Sequence, residues 1–256
     1  MTHWIRFEHA ELIKFGTLTA DIITVHEGDI FNEPCDTGIE LPLEEVTPLI
    51  PTAAGKMVAL WNNSRAMAAK LKQAIPTEPL YFIKSNGCYI GTQGTILKPP
   101  SYDGKVVFEG ELGIVIGRKC RAVSNNESSR YIFGYTCIND VTAIELIGKD
   151  PTFQQWTRAK SFDTFGAFGP VITTDLDPAQ LSIRTVVNAQ ERQHYSVSDL
   201  IFQPAEIVSA LSQDMTLDAG DIICCGTSVG VGSMKPGTVV EVTIEGIGTL
   251  RNQYVD

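Results

Sequence analysis

The six cysteines of this 256-residue chain (Cys35, Cys88, Cys120, Cys137, Cys224 and Cys225) form no C-x-x-C pair. That spacing excludes both a zinc site and a disulfide framework. Free thiols in a reducing compartment are the simplest reading, and the cytoplasm is the expected location. Positive charge is scarce too: 20 Lys and Arg stand against 30 Asp and Glu, a net charge of −10. An acidic chain repels phosphate backbones and anionic lipid, so neither nucleic acid nor a membrane surface is an expected partner. No apolar run reaches the roughly 18 residues needed to cross a bilayer. The N-terminus, Met1-Thr-His-Trp, lacks the basic region and apolar stretch of a signal peptide. There is no G-x-G-x-x-G and no Walker loop. The glycines of Gly226–Gly232 lie between strand signals and read as a tight loop near a ligand rather than as a phosphate cradle. Histidine, the commonest acid–base residue, is absent between His26 and His194. His3, His9, His26 and His194 read as structural or solvated groups.

What remains is a globular composition, with 43% hydrophobic and 20% charged residues, and a length that fits one large domain with a small appendage. Residues 3–31 read as short strands with turns at Phe15-Gly16 and Glu27-Gly28-Asp29. Residues 32–54 have little periodicity, so residues 1–52 are expected to form a small β-rich N-terminal domain and linker, and residues 53–256 the main domain. Lys56–Leu60 reads as a buried strand and Asn62–Lys72 as a helix ended by Pro76. Strand signals then dominate: Leu80–Ile83, Thr95–Leu97, Val106–Phe108, Leu112–Ile116, Ile132–Ile138, Gly169–Thr173, Ile183–Val187, Asp221–Cys225 and Val239–Ile244. One further helix is expected over Gln203–Gln213. Strands without intervening helices argue for a mainly β, α+β chain and against a doubly wound sheet.

Phe108-Glu-Gly-Glu-Leu-Gly-Ile-Val-Ile116 carries the most chemistry. Side chains alternate along a strand, so Glu109 and Glu111 project on one side, about 7 Å apart along the chain. The apolar Leu112–Ile116 continuation carries the strand into the core. Two anions at a buried edge raise each other's pKa unless a cation sits between them. Oxygen ligands suit a hard ion such as Mg²⁺, Mn²⁺ or Ca²⁺. Asp140, which ends the buried strand signal Gly134-Tyr-Thr-Cys-Ile-Asn-Asp140, is a candidate third ligand. The bland alternative for the E-x-E pair is a solvated strand face.

Glu109-x-Glu111-Leu-Gly-Ile-Val-Ile-Gly117, Tyr131-x-x-Gly-Tyr-Thr-x-x-Asn-Asp140, Arg158-Ala-Lys-Ser-Phe-Asp163 and Gly169-Pro170 occur in an order that resembles the fumarylacetoacetate hydrolase superfamily. Met215-Thr-Leu-x-x-Gly-Asp221, Gly226-Thr227, Lys235-Pro-Gly237 and Gly246-x-Gly-Thr-Leu-Arg-Asn252 extend the resemblance over nearly the whole chain. It implies a mixed β-sandwich roll with a small N-terminal domain, usually dimeric, and Mg²⁺ or Mn²⁺ bound by Glu109, Glu111 and Asp140. It also implies a small 2-oxo or 1,3-dicarbonyl acid as substrate, Lys160 as a catalytic cation, and Gly226, Thr227 and Arg158 as substrate-binding residues. Acylpyruvate hydrolysis, β-oxo-acid decarboxylation and enol-acid isomerisation all pass through an enolate, which a divalent cation chelated by substrate oxygens stabilises.

Two departures narrow the expectation. The superfamily's hydrolases carry N-Y-R-D-H-A-x-E on the helix after the first main-domain strand, where a His–Glu pair activates water. Aligned on Arg65, Met67 stands at the His position and Lys70 at the Glu position. Many members also have an arginine four residues after the aspartate ligand, and here that position is Ile144. The pattern is closer to the N-terminal half of the two-part isomerase/decarboxylases that act on 2-hydroxyhepta-2,4-diene-1,7-dioate. A metal-dependent decarboxylase or isomerase is therefore the first expectation. A C–C hydrolase using another base, such as Glu145 or metal-bound hydroxide, is the second. A catalytically silent binding subunit is the third.

Overall fold

The computed structural model describes all residues from Met1 to Asp256. The chain is mainly β, as its strand signals imply, and its core lies between a rolled twelve-stranded sheet and a five-stranded one. The larger sheet runs in the order Asn32–Pro42, Ile22–Asp29, Leu12–Thr19, His3–His9, Gly166–Thr173, Ile132–Asp140, Gly110–Ile116, Ile222–Cys224, Met57–Trp61 and Leu80–Lys84. Past its last strand the chain turns back, and Tyr89–Ile90 pairs in parallel with Gly166–Ala167, so the sheet curls on itself. The smaller sheet contains Gln190–Ser196, Ser182–Val187, Val239–Ile244, Gly248–Val255 and Thr95–Leu97.

Burial follows the sequence pattern. Val239–Ile244 alternates between half-buried and buried positions, as a strand with one face on the core must. Gly110–Ile116 is buried at every position, as befits a central strand covered on both faces. Leu112, Ile114 and Ile116 face the main core, which Ile183, Val242 and Leu250 of the smaller sheet share. Val115 faces the inside of the roll with Met57, Phe82, Ile138, Ile222 and Cys224.

The N-terminal residues form a four-stranded meander hydrogen-bonded into the large sheet, through His3 opposite Thr173 and Trp4 opposite Ile172. Three sequence expectations fail here, one of them the turn at Glu27-Gly28-Asp29, which lies within the strand Ile22–Asp29. Phe15-Gly16 is not a turn but the middle of the strand Leu12–Thr19. Gly16 stands there because a Cβ would lie 2.2 Å from the Thr24 carbonyl oxygen on the neighbouring strand. The turns fall instead at Ala10-Glu11 and Ala20-Asp21, all four residues at positive φ. Nor is the segment after residue 31 a linker, since Asn32–Pro42 forms an eleven-residue edge strand.

The first helix is shorter than its composition implies. It runs over Arg65–Leu71, capped by Ser64, whose hydroxyl accepts from the Met67 amide, and it stops at the left-handed Lys72 rather than at Pro76. The second long helix, Pro204–Asp214, falls within a residue of its expected span and buries Ile207, Val208 and Leu211. Short helices at Asn125–Ser128, Ile144–Ile147 and Trp156–Lys160 carry too few residues to leave a periodic signal.

Candidate metal centre

Register brings the three acidic residues together. Gly110 pairs with Asn139 and Glu111 with Ile138, so Asp140 comes opposite Glu109 on the neighbouring antiparallel strand. The Asp140 amide donates to the Glu109 carbonyl oxygen at 2.9 Å. Glu109 and Glu111 share a face by alternation, and Asp140 shares it as the neighbour two along from Ile138. One carboxylate oxygen from each residue lies within 4.8 Å of the other two. Glu111 and Asp140 are 1% exposed and Glu109 9%, so the solvated-face alternative for the E-x-E pair does not hold.

Two buried lysines neutralise part of this charge. Lys160, at the end of the helix Trp156–Lys160, donates to Glu109 Oε2 at 2.7 Å and to Asp140 Oδ2 at 2.6 Å. Burial works against its ammonium, but the charges of Asp140, Glu109 and Glu111 overcome that and raise its pKa. Lys84, at the end of the strand Leu80–Lys84, donates to Asp140 Oδ1 and to the Phe165 carbonyl oxygen. Burial opposes ionisation of Asp140 as well, yet Lys160 and Lys84 hold its carboxyl below the usual range. The ring of Phe82 lies 5.4 Å from the Lys160 ammonium.

Glu111 is treated differently. Its Oε2 accepts from the Gly226 amide at 2.8 Å, and no ammonium reaches it. Burial first, and then the negative charge of Asp140, push its carboxyl well above the ordinary range. The same two forces raise Glu109, against the pull of Lys160. Three carboxylates and two ammoniums leave one negative charge, and buried charge is stable only when paired. The all-oxygen donor set and an unpaired buried carboxylate fit a hard divalent cation. With such a cation bound and all three carboxyls ionised, the cluster would carry one positive charge.

Gly226 is at φ +92° with an added Cβ only 3.1 Å from Asn63 Cβ, so only glycine aims this amide at Glu111. Asn63 donates to the Cys225 carbonyl oxygen and thereby fixes the loop. Thr227 donates its hydroxyl hydrogen to the Gly110 carbonyl oxygen at 3.0 Å and accepts from Gln193 at 2.9 Å. Arg158 lies exposed, two residues from Lys160 along the helix, and donates to Gln155 Oε1. Residues two apart on a helix do not share a face. The structure therefore brings Glu109, Glu111, Asp140, Lys160 and Gly226 into one cluster, with Thr227 beside it and Arg158 turned outward.

Lys84 escaped sequence reading because a lysine ending an apolar strand resembles a solvated terminus. Its place two residues after Phe82, on the same face, was the available signal. No histidine reaches the cluster: His3 bonds Thr173, His26 bonds the Thr24 carbonyl, and His194 sits beside Glu191. On the helix Arg65–Leu71, Met67 is half-buried and Lys70 exposed. Glu145 is exposed, with an oxygen turned toward Gly104. A wide cavity between the N-terminal meander and Ile247–Thr249 is lined by His3 but by none of the clustered carboxylates and lysines.

Comparison with known proteins agrees with this architecture. The family described as fumarylacetoacetate (FAA) hydrolase, C-terminal, matches residues 56–255. An Rv2993c-like N-terminal family matches residues 2–51. The oxaloacetate tautomerase YisK of Bacillus subtilis is 34% identical over 216 residues, covering 80% of this chain and 71% of that protein. The 4-hydroxyphenylacetate degradation bifunctional isomerase/decarboxylase of Salmonella dublin is 36% identical over 207 residues, covering 80% of this chain and 48% of that one. The crystal structure of 2-hydroxyhepta-2,4-diene-1,7-dioate isomerase from Mycobacterium marinum superposes with a TM-score of 0.91 at 37% identity, covering 100% of this chain and 98% of that one.

Proposed function

Since the chain belongs to the fumarylacetoacetate hydrolase family, we propose that it is a divalent-metal-dependent enzyme that decarboxylates or tautomerises a small 2-oxo or enol acid. The observation that carries the reading is Glu111, a buried carboxylate without a cationic partner, held within 4.8 Å of two others. Glu109, Glu111 and Asp140 would hold Mg²⁺ or Mn²⁺, which supplies electrophilic stabilisation of negative charge developing on substrate oxygens.

The protein's own groups perform the rest. Lys160, with its raised pKa, stays an ammonium at neutral pH and acts as a fixed positive charge, not as a base. It keeps Glu109 and Asp140 converging and favours an anionic substrate and its enolate. Lys84 buttresses Asp140 from the far side. The Thr227 hydroxyl is engaged as both donor and acceptor, so its backbone amide, which has no partner within the protein, is the group left for a substrate oxygen. Arg158 is given no contact in this scheme.

Decarboxylation and tautomerisation need no activated water, and the cluster has neither a histidine nor a free carboxylate beside it. Relatives named as a tautomerase and as an isomerase/decarboxylase support the same side of the family's chemistry. The deciding assay follows oxaloacetate, scoring enol–keto conversion and CO₂ release with Mn²⁺ and after EDTA. Turnover that persists without metal overturns the reading. Solvent ¹⁸O appearing in a carboxylate product with an acylpyruvate would instead favour a hydrolase, and no turnover by the isolated chain would favour a binding subunit. A homodimer is the proposed assembly, on the strength of the family resemblance.

A further inference from the structure

Gly110, the residue between two of the proposed ligands, has no strand beside it on one edge. The neighbouring strand Ile222–Cys224 pairs only with Val115, Ile114 and Gly113, and the chain then leaves the sheet as the Gly226–Ser228 loop. The Gly110 peptide groups on that side would be orphaned in a buried place, at a cost of about 1–3 kcal/mol each. Side chains from the other sheet take the missing strand's role. Gln193 Oε1 accepts from the Gly110 amide at 3.0 Å, and the Tyr195 hydroxyl donates to the Gly110 carbonyl oxygen at 2.8 Å. The same Gln193 donates through Nε2 to the Thr227 hydroxyl at 2.9 Å and to the Ser228 carbonyl oxygen at 3.0 Å. Tyr195 also lies 3.3 Å from the Gly226 carbonyl oxygen.

Gln193 and Tyr195 alternate on one face of the strand Gln190–Ser196 and are 1% and 9% exposed. They span the core to the only backbone that links Glu109 to Glu111 and to the loop whose amide holds Glu111. An added Cβ at Gly110 would sit 2.0 Å from Thr185 Oγ1, so the fit leaves no slack. We infer that Gln193, seconded by Tyr195, is the positioning residue for the metal pair, fixing the separation of Glu109 and Glu111 and the approach of the Gly226–Thr227 loop.

This inference rests on the metal reading above, and the test separates the two. Mn²⁺ affinity is measured by calorimetry, and the apoprotein thermal midpoint in parallel, for wild type, Gln193→Met, Tyr195→Phe and the core control Ile183→Val. Gln193→Met is expected to weaken Mn²⁺ binding about 10–100-fold, the range for groups that orient metal ligands. Tyr195→Phe, which leaves Thr227 donating to the same carbonyl, gives a smaller loss and serves if Gln193→Met does not fold. Ile183→Val lowers the midpoint and leaves affinity unchanged. Wild-type affinity in both Gln193→Met and Tyr195→Phe, or losses that merely track the midpoint as in Ile183→Val, overturn the inference. A wild-type protein that binds no Mn²⁺ overturns the metal reading itself and this with it.

Discussion

At the scale of single residues, Glu111 and Lys160 sit in opposite predicaments. Burial and the charge of Asp140 disfavour the Glu111 charge by more than Lys160, which does not touch it, favours it, so Glu111→Gln should raise the apoprotein thermal midpoint at neutral pH. The sign follows because a carboxyl whose folded pKa is raised destabilises the fold once pH exceeds its unfolded value. The same variant should abolish any midpoint rise on adding Mn²⁺, and a retained rise would remove Glu111 from the site. Lys160→Met does the reverse, leaving Glu109 with no ammonium and Asp140 with Lys84 alone. It should destabilise the apoprotein by about 3–5 kcal/mol in denaturant titration and lower turnover about 10²–10³-fold. The thiols give an independent check on burial. Burial raises Cys88 to about 11 and Cys137 to about 12, whereas Cys35 is exposed. A thiol reagent at neutral pH should titrate one group in the native protein and six after denaturation.

At the scale of elements, sequence legibility tracks how many residues each signal spreads over. Strands such as Val239–Ile244 and Gly110–Ile116 were readable because alternation or continuous burial leaves a pattern several residues long. Glu109, Glu111 and Asp140 were readable because carboxylates at the edge of apolar runs have few reasons to be there. Turns at Ala10-Glu11 and Ala20-Asp21 were not, since their residues carry no glycine or asparagine to announce a positive φ. Gly16 misled for the complementary reason: its glycine serves a close strand contact, not a bend. Gln193 and Tyr195 lie in a strand whose remaining residues are polar and solvated, so their inward reach depends on pairing that no local pattern encodes. The Ser64 cap tests the helix that bears Met67. Ser64→Ala should cost about 1 kcal/mol, and more because the Ser64 hydroxyl also bonds Asp199 and Ser228. An unchanged midpoint would show that the helix start is held by other contacts.

At the scale of the molecule, the meander and the strands that carry Glu111 and Asp140 share one sheet, so unfolding should be a single transition in which both parts melt together. Saturating Mn²⁺, at about 100 times its dissociation constant, should add about 2.7 kcal/mol and shift that transition by roughly 5–10 °C, reversed by EDTA. Two separated transitions would mean the N-terminal strands melt independently of the rest. No helix is long and apolar enough to cross a membrane. Sedimentation equilibrium should return twice the monomer mass, and a monomer would refute the proposed dimer.

The ammonium of Lys160 between two acidic groups has one more consequence. Many small metalloproteins stay unfolded until their ion arrives, because nothing else tames the crowded ligands. Here the chain brings resident counter-ions of its own, so it can mature empty and be charged afterwards. On the proposed metal reading, the ion would come and go with supply: the amount of folded protein would stay constant, while the working fraction would follow the free divalent concentration around it.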